Sequence, residues 1–109
     1  MSEDKIREAI EAQIIKLRLD GKKITALTTL TAFTKLEALH LKSNQITDLT
    51  PLAELTELGR LTLRENQITD LSPLAELAAL KKLHLHGNLI SEDQQEMIDK
   101  ALPKCTIYL

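Results

Sequence analysis

Three histidines, His40, His84 and His86, and a set of cations, Arg18, Lys42, Arg60, Arg64 and Lys82, are the side chains of this 109-residue sequence best equipped for chemistry. His84 and His86 are two residues apart. On a strand they stand on one side, roughly 6.6 Å apart along it, and could hold a metal ion as two ligands. His40 would lie two strands away, roughly 9.6 Å across a sheet, too far for zinc–nitrogen bonds of about 2 Å. No carboxylate or thiol stands ready as a third ligand, so neither a metal nor a cofactor is expected. Catalysis finds no better support. Ser2, Ser43, Ser72 and Ser91 fall at turns or caps. Thr62 falls between His40 and His84 across neighbouring strands, yet nothing there orients a base or builds an oxyanion hole. A non-enzymatic protein is expected. What the cations can do together is attract acidic ligands, provided one surface collects them.

Total charge does not supply that attraction. Lys and Arg number 14 against 16 Asp and Glu, giving a net charge of −2 and a pI near 5.9. Such a chain has no global pull toward nucleic acid or anionic membranes. The apolar share is an ordinary 43%, but Trp 0, Tyr 1 and Phe 1 leave it almost without aromatics. Its core must be filled by many similar aliphatics, which points to a layered, repeating interior. The single Cys105 excludes an internal disulfide framework and fits a reducing compartment. The opening MSEDKIREAIEAQ is charged and lacks an apolar h-region. No run reaches the roughly 18 apolar residues of a membrane span. The expectation is a cytoplasmic protein with no membrane role.

The elements that position the cations are written as a repeat. NQITDLTPLAEL (44–55) recurs as NQITDLSPLAEL (66–77), 22 residues on. In rows of that length, LEALHLKSNQITDLTPLAELTE (36–57) and LGRLTLRENQITDLSPLAELAA (58–79) agree at 14 of 22 positions. Row one, 14–35, keeps the apolar positions but has Lys22 where Asn is due. Row four, LKKLHLHGNLIS (80–91), keeps the pattern and then departs. LPKCTIYL (102–109) restarts the phase, with Cys105 on Leu83 and Ile107 on Leu85.

Each letter has a physical reading. Alternation in Leu-x-Leu makes a strand with the leucines inward and His40 or Thr62 outward. Asn44, Asn66 and Asn88 follow at the turn, where a buried amide can satisfy backbone groups of neighbouring coils. Thr50-Pro51 and Ser72-Pro73 read as caps opening a short helical turn. One coil cannot bury its own leucines, so coils must stack. Residues 1–13 are expected to form an N-terminal capping helix with Ile6, Ala9 and Ile10 on its apolar face. Residues 14–91 carry the repeats. In 92–109, SEDQ (91–94) opens a second capping helix, Glu92–Leu102, as a capping box. Pro103 stops it, and a last strand carries Cys105, read as a small buried hydrophobe.

The phrase LxxLxLxxNxIxDLxPLxxLxx, seen in rows two and three, opens on a pattern similar to the leucine-rich-repeat signature L-x-x-L-x-L-x-x-N-x-L. It resembles the 22-residue repeat of the bacterial internalin-like class over about 14–91, and SEDQQEMIDKALPKCTIYL resembles the ending of many small bacterial proteins of this kind. The resemblance implies an α/β fold: a short right-handed solenoid with a curved parallel β-sheet on its concave side, short helical turns on its convex side, and helical caps. It also implies binding of proteins through the concave face. The near-identity of rows two and three has two readings, a recent duplication or a consensus-designed scaffold with no natural partner.

Outward strand positions then form the concave wall: Lys16, Arg18, Asp20, Ala38, His40, Lys42, Arg60, Thr62, Arg64, Lys82, His84, His86, Lys104, Thr106 and Tyr108. Seven of these are Lys or Arg, half of all 14 in the chain. Non-catalytic binding of an acidic protein partner is expected, with Arg18, Arg60 and Arg64 as anchors and Tyr108 as the one aromatic. A polyanion or nucleic acid is the lesser alternative, because stacking aromatics are few. A monomer is expected, with pairing through the open edge of the last strand as the competing state.

Overall fold

A computed structural model of the chain describes residues 3–5, 7 and 13–109. The apolar face expected for the N-terminal cap, Ile6, Ala9 and Ile10, lies outside the described residues. Five three-residue strands follow in order: β1 (Lys16–Arg18), β2 (Ala38–His40), β3 (Arg60–Thr62), β4 (Lys82–His84) and β5 (Thr106–Tyr108). They form one parallel sheet in chain order. The first three of the four return paths cross the far side in a short 3-10 turn, at Thr28–Ala32, Thr50–Glu54 and Ser72–Leu74. The result is the expected right-handed solenoid.

Its core is one aliphatic column. Leu39, Leu61 and Leu83 stack beneath the sheet, with Leu41, Leu63 and Leu85 beside them, all buried. Ile46 and Ile68 line the turn, and Leu49, Leu52 and Leu55 fill the far side of their coil. Leu17 and Leu19 in the first coil are half-buried.

Asparagine joins the coils. Asn66 Oδ1 accepts the Ile46 N–H at 3.1 Å, while Nδ2 donates to the Leu41 and Leu63 carbonyls, each at 3.0 Å. Asn44 does the same one coil earlier, accepting from Lys22 and Ile24 and donating to Leu19 and Leu41. Asn88 repeats it one coil later, accepting from Ile68 and donating to Leu63 and Leu85. Among the described residues no buried side-chain polar atom lacks a partner.

The far-side turns differ from expectation. Thr50 and Ser72 do not cap with their side chains. Asp48 Oδ1 accepts both the Thr50 N–H at 2.9 Å and its hydroxyl at 2.6 Å, and Asp70 Oδ1 accepts the Ser72 N–H at 2.9 Å. Each is an Asx turn, in which an aspartate accepts the N–H two residues further along the chain. These bonds hold both carboxyls below the usual Asp range, the Thr50 hydroxyl leading at Asp48 and the Ser72 N–H at Asp70.

At the C-terminal end, helix α1 spans Glu92–Ala101 and Leu102 closes it, one residue earlier than expected. Ser91 accepts the Gln94 N–H at 3.2 Å, half of the expected box. Gln94 does not reach back. Its Oε1 accepts the Leu71 N–H at 2.7 Å, which ties the helix to the preceding coil. The register of β5 is a second correction. Leu83 pairs with Ile107 and His84 with Tyr108, a step of 24 residues where 22 was expected. The capping helix lengthens the return path by two residues. Because side chains alternate with period two, the same faces stay inward and outward. Cys105 therefore precedes the strand. It is half-buried, and desolvation pushes its thiol pKa up.

Two substitutions test this packing by urea unfolding. Leu61→Ala is expected to cost about 2–5 kcal/mol through an unfilled core. Asn66→Ala orphans the buried Ile46 N–H and removes one of two amide donors from each of the Leu41 and Leu63 carbonyls, and is expected to cost about 1–3 kcal/mol. Asn88→Ala should cost less, because its half-buried site admits water.

Candidate functional site

The outward residues stand in three rows across the sheet. One row reads Lys16, Ala38, Arg60, Lys82 and Thr106. The middle row reads Arg18, His40, Thr62, His84 and Tyr108. Just past the strand ends, Asp20, Lys42, Arg64 and His86 occupy equivalent places in successive coils, held by backbone bonds such as Gly21 N–H to the Lys42 carbonyl and Glu65 N–H to the His86 carbonyl, both 2.8 Å. All ten expected site residues thus belong to the sheet or the turn leaving it. Arg18, Arg60, Lys82, His86 and Tyr108 are exposed, whereas His40, Lys42, Thr62, Arg64 and His84 are half-buried.

Not every expected anchor is equally available. Arg18 Nη1 donates to Asp20 Oδ2 at 3.1 Å, an exposed pair worth little to stability. The same Asp20 accepts the Lys42 N–H at 2.8 Å and so belongs to the coil junction. Arg60 and Arg64 have no ion-pair partner within 4.0 Å among the described residues.

The lone tyrosine has company. Its ring stacks on His84 with centroids 4.4 Å apart and planes 5° from parallel. The 24-residue step causes this, since a 22-residue step would have set Tyr108 beside His86. Sequence reasoning missed the pair because helix length alone decides the register. It also missed a recess of about 490 Å³ beside Arg60, bounded by Glu37, Glu57, Gly59, Ala79, Lys81 and Lys82. The signal was present: Gly59 stands where the neighbouring rows carry Glu37 and Lys81.

Both central histidines feel the cations. Burial, then Arg18, lowers the pKa of His40. Burial, then Arg64, Arg60 and Lys82, lowers that of His84. Near neutral pH the lowered pKa values favour uncharged imidazoles within a cationic wall. Among the described residues no group of three His, Cys, Asp or Glu side chains could hold a metal ion. Thr62 does sit between His40 and His84 in the register, but among the described residues no carboxylate is hydrogen-bonded to either ring.

The leucine-rich-repeat family description matches residues 34–90, just over half of the sequence. The chain belongs to that family. Its repeats are internalin-like. An internalin from Listeria monocytogenes shares 32% identity and superposes with a TM-score of 0.81 over 94% of this chain and 29% of its own. Internalin C2 of the same organism shares 37%, with a TM-score of 0.81 over 92% of this chain and 44% of its own. A Leptospira interrogans leucine-rich-repeat protein shares 37%, with a TM-score of 0.81 over 88% of this chain and 25% of its own. This leucine-rich-repeat chain therefore spans less than half the length of these solved relatives. No curated protein matches it. No helix among the described residues is long and apolar enough to cross a membrane. The leucine-rich-repeat fold supports a protein-interaction module.

The histidine environment has a measurable consequence. Unfolding returns both imidazoles to their ordinary proton affinity, so the unfolded chain binds more protons below about pH 6.5. The stability they contribute is complete above that pH and is lost as pH falls through the window beneath it. NMR titration should place both midpoints below the model-peptide value of 6.5. Unfolding free energy should drop from pH 7 to about 5.5, and a His40→Gln, His84→Gln variant should drop less.

Proposed function

We propose that the chain is a non-catalytic module that binds an acidic protein partner on its concave sheet, with Arg60, Arg64, Lys42 and Lys82 as ion-pairing groups and the His84–Tyr108 stack as the apolar anchor. The single observation that carries this reading is the pairing pattern at β3. Arg60 lies on β3 and Arg64 in the turn leaving it, where its carbonyl accepts the Ser43 N–H, and neither has an ion-pair partner among the described residues. Guanidinium groups held this way lose little freedom on meeting a carboxylate. A wall of like charge also steers an acidic ligand toward it, an effect that weakens with salt. The exposed acids Asp48, Glu54, Asp70 and Glu76 do not lie on the sheet, whereas Glu37 and Glu57 border the recess beside Arg60. A reducing, cytoplasmic setting agrees with the single free thiol.

The alternative occupant is a polyanion such as nucleic acid. One tyrosine gives a strand of bases little to stack on, and the protein reading is preferred.

The test uses two baits on a concentrated lysate, the native chain and a Lys42→Glu, Arg60→Glu, Arg64→Glu variant shown to be folded. A protein retained by the first at 50 mM salt and reduced at least tenfold on the second is the expected outcome. Binding of single-stranded DNA of any sequence, with a steep salt slope, would favour the polyanion. An empty native lane with both baits folded would contradict the proposal and favour a scaffold whose face is only solvated.

A further inference from the structure

The recess beside Arg60 exists because one side chain is missing from a row. Glu37, Gly59 and Lys81 hold equivalent places just before β2, β3 and β4. The Gly59 N–H donates to the Glu37 carbonyl and the Lys81 N–H to the Gly59 carbonyl, both at 2.8 Å. Two strand spacings, about 9.6 Å, separate Glu37 from Lys81, and the glycine between them fills none of that gap. Ala38 and Ala79 add only short side chains, and the recess reaches about 490 Å³. The backbone does not demand a glycine here. Gly59 is not among the positive-φ residues, and a Cβ added to it would meet only the Glu37 and Ala79 carbonyl oxygens, each at 3.7 Å. A side chain would fit, yet the sequence leaves the space open.

The charges around the recess are of both signs. Glu37, on the β2 side, and Glu57 supply two carboxylates. Lys81 and Lys82, on the β4 side, supply two ammonium groups, and Arg60 stands between the two flanks in the register. All five are exposed. Among the described residues none of them has an ion-pair partner within 4.0 Å or a side-chain hydrogen bond. Acids and bases therefore border one small space without neutralising each other across it. This is the one stretch of the basic wall where carboxylates stand beside the outward strand positions.

We infer that this recess is a specificity subsite of the concave face, and that it seats one arginine side chain carried within an acidic segment of the partner. The inference rests on the acidic-partner reading above and names what that partner must contain. Charge complementarity chooses the occupant. A guanidinium is planar, with five donors in a fixed fork, and can answer the Glu37 and Glu57 carboxylates together. A lysine ammonium is a compact point charge and gains less from the pair. Carboxylates on either side of that arginine then meet Arg60, Lys81 and Lys82. The wall alone rewards whichever segment is most negative. The recess changes that order, because an unbroken acidic segment sets like charge against Glu37 and Glu57. Gly59 keeps the seat empty in the free protein.

Three capped peptides, Glu-Glu-X-Glu-Glu with X as Arg, Ala or Glu, test this on the full 109-residue chain. Backbone-amide NMR titrations at about 20 mM salt, where screening is weak, read the affinities. The arginine peptide has the smallest net charge of the three, yet it should bind roughly threefold or more tighter than the all-glutamate peptide. Two variants locate the cause. Gly59→Gln fills the recess without changing its charge. Glu37→Gln combined with Glu57→Gln keeps its shape and removes its carboxylates. Position 59 accepts a side chain and the two acids are exposed, so both variants should melt close to the native chain. In both, the all-glutamate peptide should become the tightest binder. Native binding that simply follows net charge, all-glutamate first and arginine last, would overturn the inference and leave the acidic-partner reading standing. An arginine preference that survives Gly59→Gln would also overturn it, because the seat would lie elsewhere. Failure of all three peptides to bind the native chain would count against the basic wall itself, and the subsite would fall with it.

Discussion

The asparagine carboxamide is the interaction on which the rest of this molecule depends. A coil that turns sharply after Leu-x-Leu points backbone groups into its own interior, where water cannot reach them. Asn66 meets the Ile46 N–H and the carbonyls of Leu41 and Leu63, which Asn44 and Asn88 also reach. Those groups belong to two different coils. Satisfying one coil therefore requires the next, and the junction sets strand spacing and register together. The aliphatic core supplies most of the driving force for burial. Leucine packing by itself is forgiving of small slips, whereas a bidentate amide is not.

That rigidity makes the concave face available for work. Once register is held from beneath, outward strand positions carry no structural duty. The change from His40 to Thr62, or from Ala38 to Arg60, leaves the core untouched. Arginines and lysines accumulate there, and the half-buried histidines between them are kept neutral by burial and by those same cations. Asp20 is the exception, because its carboxylate is engaged by both the Lys42 N–H and Arg18. The end of the solenoid works by different rules. There the helix cap, anchored by Gln94 on Leu71, displaces the last strand and brings Tyr108 onto His84.

The sequence made legible whatever the repeat period controls. The pairing of Leu17, Leu39, Leu61 and Leu83 and the duty of each asparagine follow from 22-residue spacing, and so do the members of the concave wall. Where the period breaks, geometry takes over. The step from Leu83 to Ile107 depends on how much chain the capping helix consumes, a length no letter in LPKCTIYL records. The cap reading of Thr50 and Ser72 erred because a hydroxyl before proline suits a helix start. Asp48 and Asp70 instead accept the N–H groups of Thr50 and Ser72, which are themselves the first residues of the 3-10 turns. Gln94 satisfied the capping-box pattern while its amide served another coil. The recess beside Arg60 required Gly59 to be read as a missing side chain between Glu37 and Lys81.

Native-state hydrogen exchange tests the central claim most directly. The amides of Ile46 and Ile68 donate to asparagine side chains, whereas those of Leu41 and Leu63 donate to carbonyls of the next coil along the sheet. If the carboxamides lock the coils into one unit, all four amides should open with the same free energy and the same denaturant dependence, that of global unfolding. Exchange of the Ile46 and Ile68 amides through low-energy local openings, while the sheet amides stay protected, would contradict the account: the asparagines would then decorate a solenoid that leucine packing holds in register unaided.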